Sequence, residues 1–175
     1  MPFTHHHIDS TFAALIKTAR NVPLHAGIKA ENFFRDNFRQ QGFMGDNGLQ
    51  PWRKRKGEKT SRLLLTGRQG AKLMHSLKKT VTGTGVVVKP SGSAAKYADA
   101  HNFGQTQHIP VTQKLRKYAW AMYYKTGEQK WKHMALTRKS TITIKLPARP
   151  FIGPSQMLNQ QLITMFHNKM KLAAK

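Results

Sequence analysis

Apolar positions recur with helical spacing near both ends of the chain. Residues 12–19 place four apolar side chains at i, i+3, i+4 and i+7, and residues 24–41 carry a second apolar stripe. Pro23 interrupts the pattern, which predicts two N-terminal helices or one kinked helix. Residues 158–166 form the stripe of a last helix, and Pro154 suits its first turn.

The middle of the chain shows shorter signals. Residues 42–61 hold four glycines, a proline and a basic run without any period, which predicts a long exposed loop. A capping-box pattern at 66–69 predicts a short helix from about 67 to 79. Residues 81–89 then predict one strand, because three valines stand between glycines and a proline.

Further along, residues 97–104 predict a helical turn that ends at Gly104, and residues 107–112 predict an edge strand because they contain Pro110. Residues 137–146 alternate apolar and polar side chains, which predicts a strand with one buried and one solvated face. The order is helix, helix, strand, short helix, strands, helix. We therefore expect an α+β fold with N-terminal helices, a small mostly antiparallel sheet with a short helix, and a C-terminal helix.

Length and composition narrow the class of protein. The 175 residues suit a single domain with residues 1–8 as a flexible leader. The absence of cysteine excludes disulfides and thiolate metal sites. No apolar run is long enough for a membrane span, and the N-terminus lacks the order of a signal peptide, so we expect cytoplasmic synthesis. The three histidines at 5–7 do not define a metal site by themselves, and we expect no metal or cofactor.

The charge balance points to an anionic partner. The chain has 30 Lys and Arg against 7 Asp and Glu, a formal net charge of +23, and such a surface attracts nucleic acid or an acidic protein face. Six basic residues cluster beside Trp52, whose ring could stack on a base: Arg53, Lys54, Arg55, Lys56, Lys59 and Arg62. From this run alone, a contact with phosphates and a simple solvated loop are equally good interpretations.

Residues 114–136 form a second basic segment, an arm or insertion rich in aromatic residues. Helical spacing between 115 and 122 favours a packing role, but Trp120 and Tyr124 also suit a stacking platform or a protein interface. Residues 147–153 end the preceding strand with two prolines. Phe151 is expected to fill the core beneath this junction, and Arg149 to bridge to a neighbouring subunit or to cap local carbonyls.

Signals for catalysis are weak. The seven acidic residues are scattered, and Asp99 and His101 are the only close acid and histidine pair. Residues i and i+2 of a helical turn point apart, which favours a structural role for both. Residues 66–70 resemble a glycine-rich phosphate loop but lack its Gly-Lys-Ser/Thr ending.

Several short segments, taken in order, resemble the phage virion morphogenesis family, the tail-completion or head-to-tail joining proteins of Mu-like tailed phages. The matching segments lie at 32–43, 52–55, 64–67, 97–104, 109–110 and 147–153. One departure is Gln69, which stands where the family pattern has a leucine.

The resemblance implies a structural protein without catalytic residues, assembled in the host cytoplasm into the neck of the virion. It implies a homo-oligomeric ring, expected to be a hexamer, that meets other neck and tail proteins such as a tail terminator, the tail tube or a head-side adaptor, and it allows non-specific contact with genomic DNA. The expected junction or subunit-interface residues are Tyr97, His101, Phe103, Gly104, Trp120, Tyr124, Arg149 and Phe151. Two alternatives stay open: a basic nucleic-acid-binding protein of the packaging or ribosome-associated type, and a small nuclease that uses Asp99 and His101.

Overall fold

The computed structural model describes residues 5–54, 64–65, 72–83 and 85–174. Its helices and strands follow one another as α1 (His5–Gln40), β1 (Gly42–Gly45), β2 (Gly48–Pro51), α2 (Lys72–Ser76), β3 (Leu77–Val81), β4 (Val86–Pro90), α3 (Ala95–Phe103), β5 (Gln105–Pro110), α4 (Gln113–Thr126), α5 (Gln129–Leu136), β6 (Thr141–Leu146) and α6 (Gln156–Ala173). Each sheet is an antiparallel pair, β1 with β2, β3 with β4, and β5 with β6. The predicted α+β class is confirmed.

The chain divides into two compact units. The first consists of Met1–Phe103 and Ala148–Lys175, and the second of Gly104–Pro147. The single domain expected from the length stays a prediction. The aromatic and basic arm predicted at 114–136 lies within the second unit.

The N-terminal helix is longer than the sequence pattern indicated. Residues 5–40 form one helix with Pro23 inside it, so of the two predicted alternatives the two separate helices are wrong. Proline removes one backbone hydrogen bond from a helix, and the remaining bonds of this 36-residue helix maintain the helical conformation before and after Pro23. The helix ends at Gln40, and Gln41 adopts a left-handed backbone with φ 56°.

The core of the first unit forms where the second half of α1 meets the short sheets, α3 and α6. Its buried apolar side chains are Ala30, Phe33, Phe34, Phe38, Phe43, Trp52, Leu64, Leu73, Leu77, Ala94, Ala98, Phe151 and Leu158. The first half of α1 makes no such contribution, because none of residues 10–26 is buried. Glu31 forms one ion pair with Arg35 of α1 and a second with Lys79 of β3. The second pair connects α1 to β3.

Two predictions for the middle of the chain need correction. Residues 42–51 form a hairpin rather than the first half of a long loop, because Gly48 supplies the positive φ of 87° that its turn requires. Residues 77–90 form a second hairpin, β3 and β4, where one strand and the end of a helix were expected. The predicted capping box at 66–69 lies outside the described residues, and the described part of this region contains α2 at Lys72–Ser76.

The last helix begins at Gln156, two residues after Pro154. Ser155 is its N-cap, with its hydroxyl oxygen accepting a hydrogen bond from the Leu158 N–H at 3.3 Å, so Pro154 precedes the helix instead of occupying its first turn. The Asp46 carboxylate accepts a second bond from the Gln156 N–H at 2.7 Å. The turn between β1 and β2 therefore helps to fix the start of α6.

The second unit consists of a two-stranded ribbon and a helical hairpin. In the ribbon Gln105 lies opposite Leu146 and Pro110 opposite Thr141, which confirms the predicted edge strand. The expectation of one buried face is wrong, because Ile144 in the middle of β6 is 46% exposed. In the hairpin, Gly127 ends α4 with φ 70°, and α5 packs back against it.

Candidate functional site

Residues 150–152 have no regular structure, yet side chains from three other segments satisfy their backbone. The Trp52 indole N–H donates to the Pro150 carbonyl oxygen at 2.8 Å, and the Asn37 amide donates to the Phe151 carbonyl oxygen at 3.1 Å. The Asn102 amide nitrogen donates to the Ile152 carbonyl oxygen at 3.0 Å. Its amide oxygen accepts from the N–H groups of Phe151 at 2.8 Å and Ile152 at 3.1 Å.

We call Asn37, Trp52 and Asn102 the backbone clamp. Together they bond all three carbonyls and both N–H groups of residues 150–152, which include one proline without an N–H. All three clamp residues are buried. Buried backbone groups without partners are costly, so the clamp allows an irregular, proline-containing segment to lie in the core.

The clamp is continuous with an aromatic cluster. Phe151 is 1% exposed and packs against Phe38 with ring centroids 5.0 Å apart, which confirms that Phe151 fills the core. Phe38 in turn meets the edge of Trp52 at 5.5 Å. Trp52 is 5% exposed, so the predicted use of this ring for stacking on a base is wrong.

Sequence reasoning missed Asn37 and Asn102. The Asn37 side-chain amide oxygen, Oδ1, also accepts a hydrogen bond from the Met44 N–H at 3.0 Å, which joins α1 to β1. A signal was present for this residue, since it lies three and four positions after Phe34 and Phe33 and therefore on their apolar face. A polar residue on such a face is a candidate for a buried hydrogen-bonding role.

Arg149 lies beside the clamp and is 6% exposed. Its backbone N–H donates to the His101 carbonyl oxygen at 2.8 Å, and its guanidinium donates to the Arg53 carbonyl oxygen at 3.3 Å. The second of the two roles predicted for Arg149, capping of local carbonyls, is thus observed in the first unit.

His101 is half-buried, with its ring against the edge of Tyr97 at 5.8 Å. Burial, and to a smaller extent the charge of Arg149, lower the pKa of His101 below its usual value. This shift favours the neutral form of the imidazole. Asp99 is exposed, and within the described part of the chain it shares no hydrogen bond with His101.

The other predicted residues lie in different places. Gly104 follows the last residue of α3 with φ 77°, so the helical turn ends there as expected. Phe103 is 74% exposed, so its ring does not belong to the core. Arg53 and Lys54 are exposed, and the rest of the basic run, at 55–62, lies outside the described residues. The structure thus brings His101 and Arg149 together with Phe151 near the clamp.

The second unit carries the remaining predicted residues, Trp120 and Tyr124, on α4. Their rings stack at 5.9 Å with an interplanar angle of 24°, and Tyr124 is 79% exposed. The described residues contain no group of three or more His, Cys, Asp or Glu side chains placed to hold a metal ion. They also contain no helix with the length and apolar character that a membrane crossing requires.

Comparisons with known proteins agree with the structural character of this site. Neither a curated protein nor a solved structure was found to be similar to the chain. The model of the phage virion morphogenesis family matches residues 35–171, which include Asn37, Trp52, Asn102 and the 147–153 segment. The chain belongs to the phage virion morphogenesis family.

Proposed function

We propose that the chain is a non-enzymatic subunit of a ring in the neck of a tailed phage, where it completes the tail or joins it to the head connector. Family membership supports a role in building the virion. The clamp supports a structural role, because its polar side chains are used to hold backbone groups rather than to contact a substrate.

The observation that carries the assembly role is the first half of α1. A 36-residue helix is about 54 Å long, and residues 10–26 contribute no buried side chain to the core. Phe12 and Ile16 are 61% and 51% exposed there. Large apolar side chains on an extended helix are typical of a surface that another chain covers, and a neighbouring subunit is the occupant in this proposal.

Charge sets a condition on the ring. Each copy has a formal charge of +23, so closing a ring of about six copies brings like charges together. Assembly is therefore expected to require an acidic neighbouring ring, a polyanion or high salt. Tail tubes, a tail terminator or a head-side adaptor are the partners that would supply such a surface in the virion.

The test is a mass measurement by light scattering and native mass spectrometry, at low and high salt and with purified tail tubes. We expect a defined oligomer with tubes or at high salt. Phe12→Asp and Ile16→Asp should prevent it, while Asn21→Asp, an exposed control on the same half of α1, should not. A chain that stays monomeric under every condition and never joins tails contradicts the proposal.

A further inference from the structure

One face of the helical hairpin carries a cluster of aromatic and basic side chains, of which two are exposed and three are half-buried. It consists of Lys117, Trp120, Tyr123 and Tyr124 of α4 with Lys132 of α5, and we call it the aromatic-basic cluster. Lys117, Trp120 and Tyr124 are spaced i, i+3 and i+7, so they share one face of α4.

The buried side of α4 is formed by other residues than Trp120 and Tyr124, although Tyr123 of the cluster meets Lys132 of α5. Ala119 and Ala135 are the buried residues of the two helices. The Arg116 guanidinium donates to the Ala135 carbonyl oxygen at 2.6 Å, and Tyr118 meets the edge of Trp131 at 5.8 Å. The side of α4 that packs on α5 is thus occupied by other residues than Trp120 and Tyr124.

The rings of the cluster support one another. Tyr123 meets Trp120 nearly edge-on at 5.9 Å, and the Lys132 ammonium lies 5.9 Å from the centre of the Tyr123 ring. The stacked pair of Trp120 and Tyr124 is therefore held by its neighbours. Tyr124 is the outer ring of the pair and the most exposed large apolar side chain of the described residues.

The charge around the cluster has one sign. Residues 104–147 contain nine Lys and Arg residues and one acidic residue, Glu128. Glu128 already accepts hydrogen bonds from Lys130 at 2.8 Å and from the Trp131 indole at 2.9 Å. The field of this unit therefore favours an anionic occupant and disfavours a second copy of the same chain.

Two observations favour nucleic acid over an acidic protein. Seven of the nine basic residues are lysines, which protein interfaces tend to exclude but which bind phosphates well as point charges. A preformed ring stack that ends at the exposed ring of Tyr124 can be extended by a planar base, whereas an Asp or Glu side chain has no aromatic face to add. Duplex DNA offers phosphates without accessible base faces, so the rings favour an unpaired strand.

We propose that the aromatic-basic cluster is a binding site for single-stranded nucleic acid, with bases stacking on Tyr124 and Trp120 and phosphates meeting Lys117 and Lys132. This goes beyond the neck role proposed above, because it assigns a ligand to a surface of the single chain. It needs neither a ring nor another virion protein.

The test is a titration of the full-length chain with a fluorescein-labelled oligothymidine of about 20 nucleotides and with a duplex of equal length. At about 0.2 M salt, where phosphate contacts alone are weak, the single strand should bind more tightly than the duplex. Tyr124→Ala should weaken single-strand binding by about 5-fold to about 150-fold, the range expected for one lost base stack. Tyr124→Phe should retain it, and Phe103→Ala, which removes an equally exposed ring of the first unit, should change nothing.

A second variant tests the phosphate contact without removing a ring. Lys117→Gln should reduce the slope of log K against log salt by about 0.7, whereas Lys171→Gln, an exposed control on α6, should leave it unchanged. Circular dichroism checks that each variant is folded.

Three results would overturn the proposal. The first is equal binding of duplex and single strand. The second is an affinity that Tyr124→Ala leaves unaltered in a folded protein. The third is displacement of the oligonucleotide by poly-L-glutamate as efficiently as by unlabelled oligothymidine, which would indicate an acidic protein partner instead.

Discussion

Asn102 makes more backbone contacts than any other clamp residue, so replacing it with alanine tests the clamp most directly. The change removes three hydrogen bonds, two accepted from the Phe151 and Ile152 N–H groups and one donated to the Ile152 carbonyl oxygen. A typical bond of this kind contributes about 0.5–1.5 kcal/mol net, and an unsatisfied buried partner costs more. Ile152 is only partly buried, so water can replace some of the loss.

We therefore expect Asn102→Ala to lower the free energy of unfolding by about 2–4 kcal/mol. For a chain of this size that corresponds to a midpoint temperature about 4–16 °C lower. Urea denaturation and thermal melting, both followed by far-UV circular dichroism, measure the two quantities. Asn159→Ala is the matched control, because Asn159 is exposed on α6 and should change stability by less than about 0.5 kcal/mol.

A loss below about 0.5 kcal/mol in Asn102→Ala would refute the reasoning. It would mean that residues 150–152 are held by apolar packing alone and that water satisfies their backbone. The corresponding changes at Asn37 and Trp52 would then be expected to be small as well.

Three further predictions concern other parts of the fold. Gly42→Ala should lower the free energy of unfolding by about 1–3 kcal/mol, because its new Cβ would come within 2.6 Å of a β2 carbonyl oxygen. Gly83→Ala, whose Cβ would meet open space, should lower it by less than about 0.5 kcal/mol. Urea denaturation compares the two variants, and equal losses would contradict the geometry. Burial, and then the charge of Arg149, lower the pKa of His101 in the folded state, so the unfolded chain binds more protons and stability should fall as pH drops below the usual pKa of 6.5. Urea denaturation at several pH values should show a weaker fall for His101→Gln. An unchanged pH profile in that variant would show that His101 is not the cause of the fall. Replacing Gly104–Pro147 by a short Gly-Ser linker should leave a folded first unit by circular dichroism, and an unfolded product would contradict its independence.

The long elements could be predicted from the sequence because their periodicity extends over several turns. The apolar stripes of α1 and α6 and the alternation of β6 needed no tertiary information. The alternative of two separate helices at Pro23 is wrong because a proline lowers helix stability at one place without determining whether the neighbouring turns continue.

The short hairpins could not be predicted in the same way. A four-residue strand such as β1, with glycine at both ends, gives no alternation to detect, and its pairing depends on the approach of another backbone. For β3 and β4 a signal existed, since Gly83 and Gly85 mark a turn just before the valines. The run of three valines is the stronger local signal, and by itself it predicts a single strand.

The candidate site was predicted only in part, for a physical reason. Arg149 and Phe151 are distinguished by the prolines around them, whereas Asn102 lies in the family-like segment 97–104 without a feature that separates it from its neighbours. Its role depends on the 150–152 segment arriving from about 50 residues further along the chain. Hydrogen bonds across such separations follow from the tertiary fold and cannot be inferred from spacing.

The clamp lies in the first unit and the aromatic-basic cluster in the second. The chain leaves the first unit at Gly104 and returns at Ala148, and the bond from the Arg149 N–H to the His101 carbonyl oxygen joins the two ends at 2.8 Å. Most of the short segments that resemble the family lie on this scaffold, and none of them lies within 111–146, although the family model matches residues 35–171 and so includes both units. The partner proposed above for the aromatic-basic cluster depends instead on the charge and the exposed rings of the second unit.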